Sequence, residues 1–280
     1  SGQGYSEDLN GFNPEGIARL DATRKHGRRC SAAGAYLRPA LARGNITLLT
    51  KAQVMKINIT GNSVNGVSFK HKGKLHTVKA NKEVILSGGA INSPHLLMLS
   101  GIGPSKHLKE HGIDVHVDLP GVGQNLQDHS CVILQYACKK SFPIHKVNQP
   151  HRKLATGIRW VFTRKGIATS NIWEAGGLIK SSPNAAYPDI QYHFGPVGLD
   201  YNDDKISLLQ AFSIHVDQLR PRSRGEVTLK SENPLEKPLM TFNYLQDSED
   251  LADMVNGFNK ARELISQPAF DEFRGVELIP

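Results

Sequence analysis

The segment Val84-Ile85-Leu86 runs without a break into Ser87-Gly88-Gly89-Ala90 and then into the apolar stretch Ser93-Pro94-His95-Leu96-Leu97-Met98-Leu99. Strand, glycine turn and helix start are therefore consecutive, an order that points to a mixed chain in which helix and sheet share a core. Pro94 suits a first helical turn, and the glycines let backbone approach a ligand closely. A helix start presents unpaired N–H groups that favour an anionic group such as a pyrophosphate. The same turn also arises for geometry alone, so by itself it leaves both readings open.

Upstream of this turn, Ser31 to Leu41 carries a Ser N-cap and alanines and is expected to be a short helix. A β-rich block follows, with strands expected at Ile46 to Leu49, Ala52 to Ile59, Val64 to Phe69 after a Gly61-Asn62 turn, Leu75 to Val78 and Val84 to Leu86. Downstream, the runs Val132 to Tyr136, Gly176 to Ile179, Ile190 to Phe194 and Leu208 to Val216 alternate with long loops, the pattern of an antiparallel sheet. Ser248 to Ser266 then places Leu251, Met254, Val255, Phe258, Ala261, Leu264 and Ile265 at helical spacing, as a core-facing helix would.

Composition narrows the class. A 39% hydrophobic, 21% charged chain of 280 residues can bury a sizeable core. No apolar run reaches the roughly 20 residues that span a bilayer. Cys30, Cys131 and Cys138 are odd in number and widely spaced, which argues against a disulfide framework or a zinc site. The chain opens on Ser1 and stops at Pro280 without a polar tail, and the expectation is an internal piece of a longer protein. The net charge of +8 is unevenly spread. No acid lies between His129 and Trp173, while Lys139, Lys140, Lys146, Arg152, Lys153, Arg159, Arg164 and Lys165 are basic. The stretch offers only Tyr136, Phe142, Trp160 and Phe162 as aromatics and no RNP-like pattern, which disfavours nucleic-acid binding against a solvated face or a peripheral membrane surface.

Gly89-Ala90-Ile91-Asn92-Ser93-Pro94-His95-Leu96-Leu97-Met98-Leu99-Ser100-Gly101-Ile102-Gly103 resembles a signature of the glucose-methanol-choline (GMC) flavoprotein oxidoreductases. The flanks are similar too, through Asn10-Gly11-Phe12, Gly27-Arg28-Arg29, Ser31-Ala32-Ala33 and Leu119-Pro120-Gly121-Val122-Gly123-Gln124-Asn125-Leu126-Gln127-Asp128-His129. Within the family, Trp173-Glu174-Ala175-Gly176-Gly177, Pro188 to Phe194, Arg222-Ser223-Arg224-Gly225 and Gln267-Pro268-Ala269-Phe270 look most like members that act on choline. The family's opening Gly-x-Gly-x-x-Gly and its C-terminal catalytic His have no counterpart here. The resemblance implies a mixed α+β and α/β fold. It would comprise the middle part of an FAD-binding domain over 1–130, an antiparallel-sheet substrate domain over 131–220, and the start of the C-terminal region over 221–280.

It also implies FAD-dependent oxidation of a primary alcohol, choline to betaine aldehyde, with another alcohol as the alternative. A noncatalytic ligand-binding module on the same fold is the alternative of another class. A NAD-dependent dehydrogenase is disfavoured, because no Gly-x-Gly-x-x-Gly with a later acid is present. Glu174 is the candidate carboxylate for a quaternary ammonium, beside Trp173, since such a cation is held by charge and aromatic faces. His193, between Tyr192 and Phe194, is the candidate partner of the substrate hydroxyl, and all three are candidate substrate residues. Leu199 stands where choline-acting relatives can offer an aromatic. Val54, Ser87, Gly88, Gly89, Ser93 and Asn125 match positions near FAD, although Ser93 and Asn125 also suit a purely structural turn. No metal ligand is expected, and the residues name no electron acceptor. The expected location is cytoplasmic, including a bacterial inner-membrane surface, with mitochondrial as the alternative.

Overall fold

The computed structural model describes residues 2–147, 149–202 and 205–280. It divides into two compact units, each discontinuous in sequence: residues 1–43, 129–222 and 247–280 form one, and residues 44–128 and 223–246 the other.

The first unit is built on a six-stranded sheet in the order Gly16–Arg19, Ala175–Ile179, Ile190–Gly195, Ala211–Gln218, Cys131–Cys138, Arg274–Ile279. Every pairing in it is antiparallel, as the alternating runs predict. Because successive side chains in a strand point to opposite faces, Ile190, Tyr192, Phe212, Ile214, Val216, Leu134 and Tyr136 fall on one face. They pack with Met254, Ala261 and Ile265 of the helix Ser248–Ser266. Burying a side chain such as Ile190, which is 0% exposed, contributes about 2–3 kcal/mol. The close approach of helix to sheet depends on Gly257, where an added Cβ would lie 2.9 Å from the Ile190 side chain. The Asp247 side chain caps this helix by accepting from the Glu249 N–H, and Glu249 and Asp250 put negative charge in its first turn.

The second unit holds a three-stranded antiparallel meander, Ala52–Thr60, Ser63–His71 and Lys74–Lys79, and a smaller sheet that joins Gln124–Leu126, Gly225–Thr228 and Leu239–Thr241. Its core gathers Met98, Leu99, Leu108, Val122, Leu126, Val227 and Leu229 around the helix Gly89–Leu99. Ser100, fully buried, donates to the Leu96 carbonyl and accepts from the Ile57 N–H, which ties the end of that helix to the meander. Ser100 thus has a packing role.

The compact units cut across the three consecutive segments 1–130, 131–220 and 221–280. Gly16–Arg19 pairs with Ala175–Ile179, and Arg274–Ile279 with Cys131–Cys138, so both chain ends join the antiparallel sheet. Residues 223–246 instead join the second unit, because Gly225–Thr228 pairs with Gln124–Leu126. The helix expected from Ser93 begins at Gly89, so Pro94 lies inside it and the unpaired N–H groups of its first turn belong to residues 89–92. Ile46 to Leu49 and Val84 to Leu86 form no ladder. Continuous apolar runs suit strands buried on both faces, and no partner strand for them lies among the described residues. Ile46, Leu48, Leu49 and Ile85 are accordingly exposed.

Candidate functional site

The face of the large sheet opposite the helix is polar. The register sets His193 opposite His215 and Gln191 opposite Asp217, while Cys131 lies opposite Asp217 on the other side. These side chains therefore emerge together, although they come from strands far apart in sequence. His193 Nδ1 lies 2.8 Å from Asp217 Oδ2. A carboxylate can only accept, so Nδ1 carries the proton of this bond. Cys131 Sγ stands 3.7 Å from His215 Nδ1. Trp173 lies edge-on to both imidazoles, with ring centroids 4.5 Å from His215 and 6.2 Å from His193. Its indole rests over Gly195, where an added Cβ would fall 2.6 Å from the ring. Gly195 thus sets how closely Trp173 lies on the sheet.

The electrostatics follow from this packing. Burial pushes the Asp217 carboxyl up, but hydrogen bonds from His193 and Cys131, together with the two imidazoles, outweigh it and hold the group below its ordinary range. Desolvation, then the hydrogen bond to Asp217, pushes the Cys131 thiol up to about 12, which keeps it protonated and unreactive. Burial lowers His215 and favours its neutral ring.

Trp173 and His193, both candidates from the sequence, are brought together. Tyr192 and Phe194 are not. Tyr192 is 1% exposed on the opposite face and donates its hydroxyl to the Gly257 carbonyl at 2.8 Å, and Phe194 packs on Phe212 and Phe270 in the core. Neighbours along a strand point in opposite directions, so the two rings cannot flank His193. Their place corrects the grouping of all three as substrate residues. Asp217 is the residue that sequence reasoning missed. The alternation of Phe212, Ile214 and Val216 with Ser213, His215 and Asp217 is the signal that could have found it.

Glu174 is exposed and lines a cleft of about 670 Å³ in the same unit, with Phe142, Arg152, Arg159, Lys165 and Pro196 among its walls. Trp173 and His193 are not in that lining. Although three bases share the cleft, Glu174 forms no ion pair among the described residues. No group of three or more His, Cys, Asp or Glu that could hold a metal occurs among the described residues.

In the second unit, Ser93 and Asn125 meet in a cleft of about 500 Å³ with Pro94, Leu97, Gly121 and Gly123. Asn125 has a positive φ of 64°, a conformation Asn tolerates better than most residues. Gly88 adjoins Ser93, whose N and Oγ would stand 3.2 Å from a Cβ there. Ser87, Gly88 and Gly89 are exposed at the helix start, and Val54 lies half-buried in the strand Ala52–Thr60 opposite Phe69. None of these four is in the lining of the cleft.

Family models described as GMC oxidoreductase match residues 2–131 with the N-terminal part and 221–280 with the C-terminal part. The chain belongs to the GMC oxidoreductase family. An oxygen-dependent choline dehydrogenase of Staphylococcus xylosus is 43% identical over all 280 residues, which cover 50% of that protein. Among solved structures, a formate oxidase superposes with a TM-score of 0.88 at 26% identity, covering 99% of this chain and 53% of the other. A pyridoxine 4-oxidase from Mesorbium loti gives 0.84 at 25%, covering 100% and 51%. The chain thus spans about half the length of the relatives it matches. GMC membership bears out the family resemblance and the mixed α and β fold with its antiparallel sheet. No helix among the described residues is long and apolar enough to cross a membrane.

Proposed function

We propose that the whole protein oxidises a primary alcohol, choline, to its aldehyde, with FAD as cofactor. The observation that carries this reading is the 43% identity to a choline dehydrogenase in an alignment that spans all 280 residues of the chain. The second unit suits the cofactor. Its cleft offers apolar walls in Pro94, Leu97 and Val122 and close backbone at Gly121 and Gly123, beside a helix start with unpaired N–H groups. Ser93 and Asn125 would hold it there, with Val54 and the Ser87–Gly89 turn toward its far end. When bound, FAD supplies the acceptor for hydride from the alcohol carbon.

In the first unit, His193 would meet the substrate hydroxyl and Trp173 would wall the site. Glu174 offers a carboxylate that the neighbouring bases leave unpaired, as a trimethylammonium group requires. A panel of alcohols tests the reading: the full-length protein is expected to turn over choline well ahead of 1-butanol. Equal turnover of both would contradict choline as the substrate. The bases Arg152, Arg159 and Lys165 favour a second reading, an alcohol that carries an anionic group, and in that case a hydroxy acid would lead the panel.

Contact with an anionic lipid surface is part of the same proposal. The helix Pro150–Thr163 buries none of its residues and exposes Leu154, Ile158 and Phe162, while it carries Arg152, Lys153 and Arg159 and no acid. An amphipathic helix of this composition suits the headgroup boundary of an anionic membrane. The full-length protein is expected to sediment with phosphatidylglycerol vesicles at low salt and to be released by salt. Sedimentation that is absent, or indifferent to salt, would remove this part.

A further inference from the structure

We propose that Asp217 is a positioning residue for alcohol oxidation: its carboxylate fixes the His193 ring in the tautomer that leaves the Nε2 lone pair open to accept from the substrate hydroxyl. The inference rests on the reading of His193 as the partner of that hydroxyl. The geometry is a 2.8 Å bond between Nδ1 and Oδ2, made between two paired strands and therefore held by the sheet itself. The Asp217 side chain is only 15% exposed, against 33% for His193, so the carboxylate is the buried partner and the imidazole the presented one.

Asp217 is kept ionised by its surroundings, and an ionised carboxylate cannot donate. It therefore requires the proton on Nδ1. Cys131 supports this as a protonated thiol beside the carboxylate, and His215 completes the ring of neighbours. Among the described residues Nε2 of His193 has no hydrogen-bond partner in the chain, so the lone pair that the tautomer creates is free for a ligand. A salt link that served only to tie two strands would give no particular value to that nitrogen.

The decisive experiment uses the full-length enzyme and reads both tautomer and turnover. With 15N-labelled histidine, and His193→Gln to assign the signal, the His193 ring in alkaline buffer is expected to show a protonated Nδ1 and an unprotonated Nε2. Asp217→Ala is expected to move the proton toward Nε2 and to lower kcat/KM for choline by about 10- to 100-fold. Asp217→Asn, whose carbonyl can still accept from Nδ1, should recover most of the loss. Asp217→Ala combined with His193→Gln should be no worse than His193→Gln alone, because Asp217 acts through the ring.

A folded Asp217→Ala with unchanged tautomer and turnover would overturn the proposal, as would additive losses in the double variant. His193→Gln separates the two layers. If it leaves kcat/KM intact, the reading of His193 fails and takes the proposal with it. If it is damaging while Asp217→Ala is not, the proposal alone fails.

Discussion

Replacing Asp250 by alanine is expected to destabilise the full-length protein by about 2–4 kcal/mol, the cost of taking the acceptor away from two hydrogen-bond donors. Asp250 is 0% exposed at the start of the helix Ser248–Ser266. Its Oδ1 accepts from Gln218 Nε2 at 2.9 Å and from the Arg222 backbone N–H at 2.7 Å. Alanine would leave the Gln218 amide buried without its acceptor and the part-buried Arg222 N–H without its own. The Arg222 guanidinium adds little to this figure, because it is half exposed and already bonded to Glu249 and Asp253. Asp250→Asn keeps an acceptor oxygen in place and is expected to cost roughly 1 kcal/mol. Urea denaturation of the two variants measures the difference, and equal loss in both would contradict this account of the network. The effect has functional weight, since Gln218 ends the strand that carries His215 and Asp217.

Glu174→Gln is expected to raise KM for choline about 30-fold with a much smaller change for 3,3-dimethylbutan-1-ol, which has the same shape and no charge. At an effective dielectric near 20, a carboxylate and a cation about 4 Å apart attract by roughly 4 kcal/mol. Lost hydration in a half-open cleft offsets about half of that, and the remaining 2 kcal/mol or so corresponds to the predicted factor. Arg152, Arg159 and Lys165 increase the effect, because removing the one acid leaves a cleft lined by three bases that repels the substrate. Steady-state kinetics on the two alcohols tests this directly. Equal changes for both would show that Glu174 acts on packing or folding and not on charge.

Much of the fold was legible because it is local. The meander announced itself through alternation around the Gly61-Asn62 turn, and the helix Ser248–Ser266 through the spacing of Met254, Ala261 and Ile265. What was not legible depends on pairing between distant segments. His193 could be read from its own strand, but its partner lies 24 residues away and is chosen by strand register, which no local pattern states. Tyr192 and Phe194 were assigned by adjacency, and in a strand adjacency places side chains on opposite faces. Ile46 to Leu49 carried the composition of a buried strand, yet a strand requires a partner as well as a propensity. The two-unit division was hidden for the same reason: Gly16–Arg19 and Arg274–Ile279 look like ends of a chain in sequence and are strands of one sheet in space.

The central claim is that this GMC chain belongs to a protein that moves hydride from choline to FAD. Anaerobic mixing of the FAD-loaded full-length protein with choline tests it most directly, because the flavin itself reports the transfer and no electron acceptor has to be guessed. The account predicts loss of the oxidised flavin's visible absorbance at a rate that saturates with choline. A folded, FAD-loaded protein whose absorbance choline leaves unchanged would contradict it.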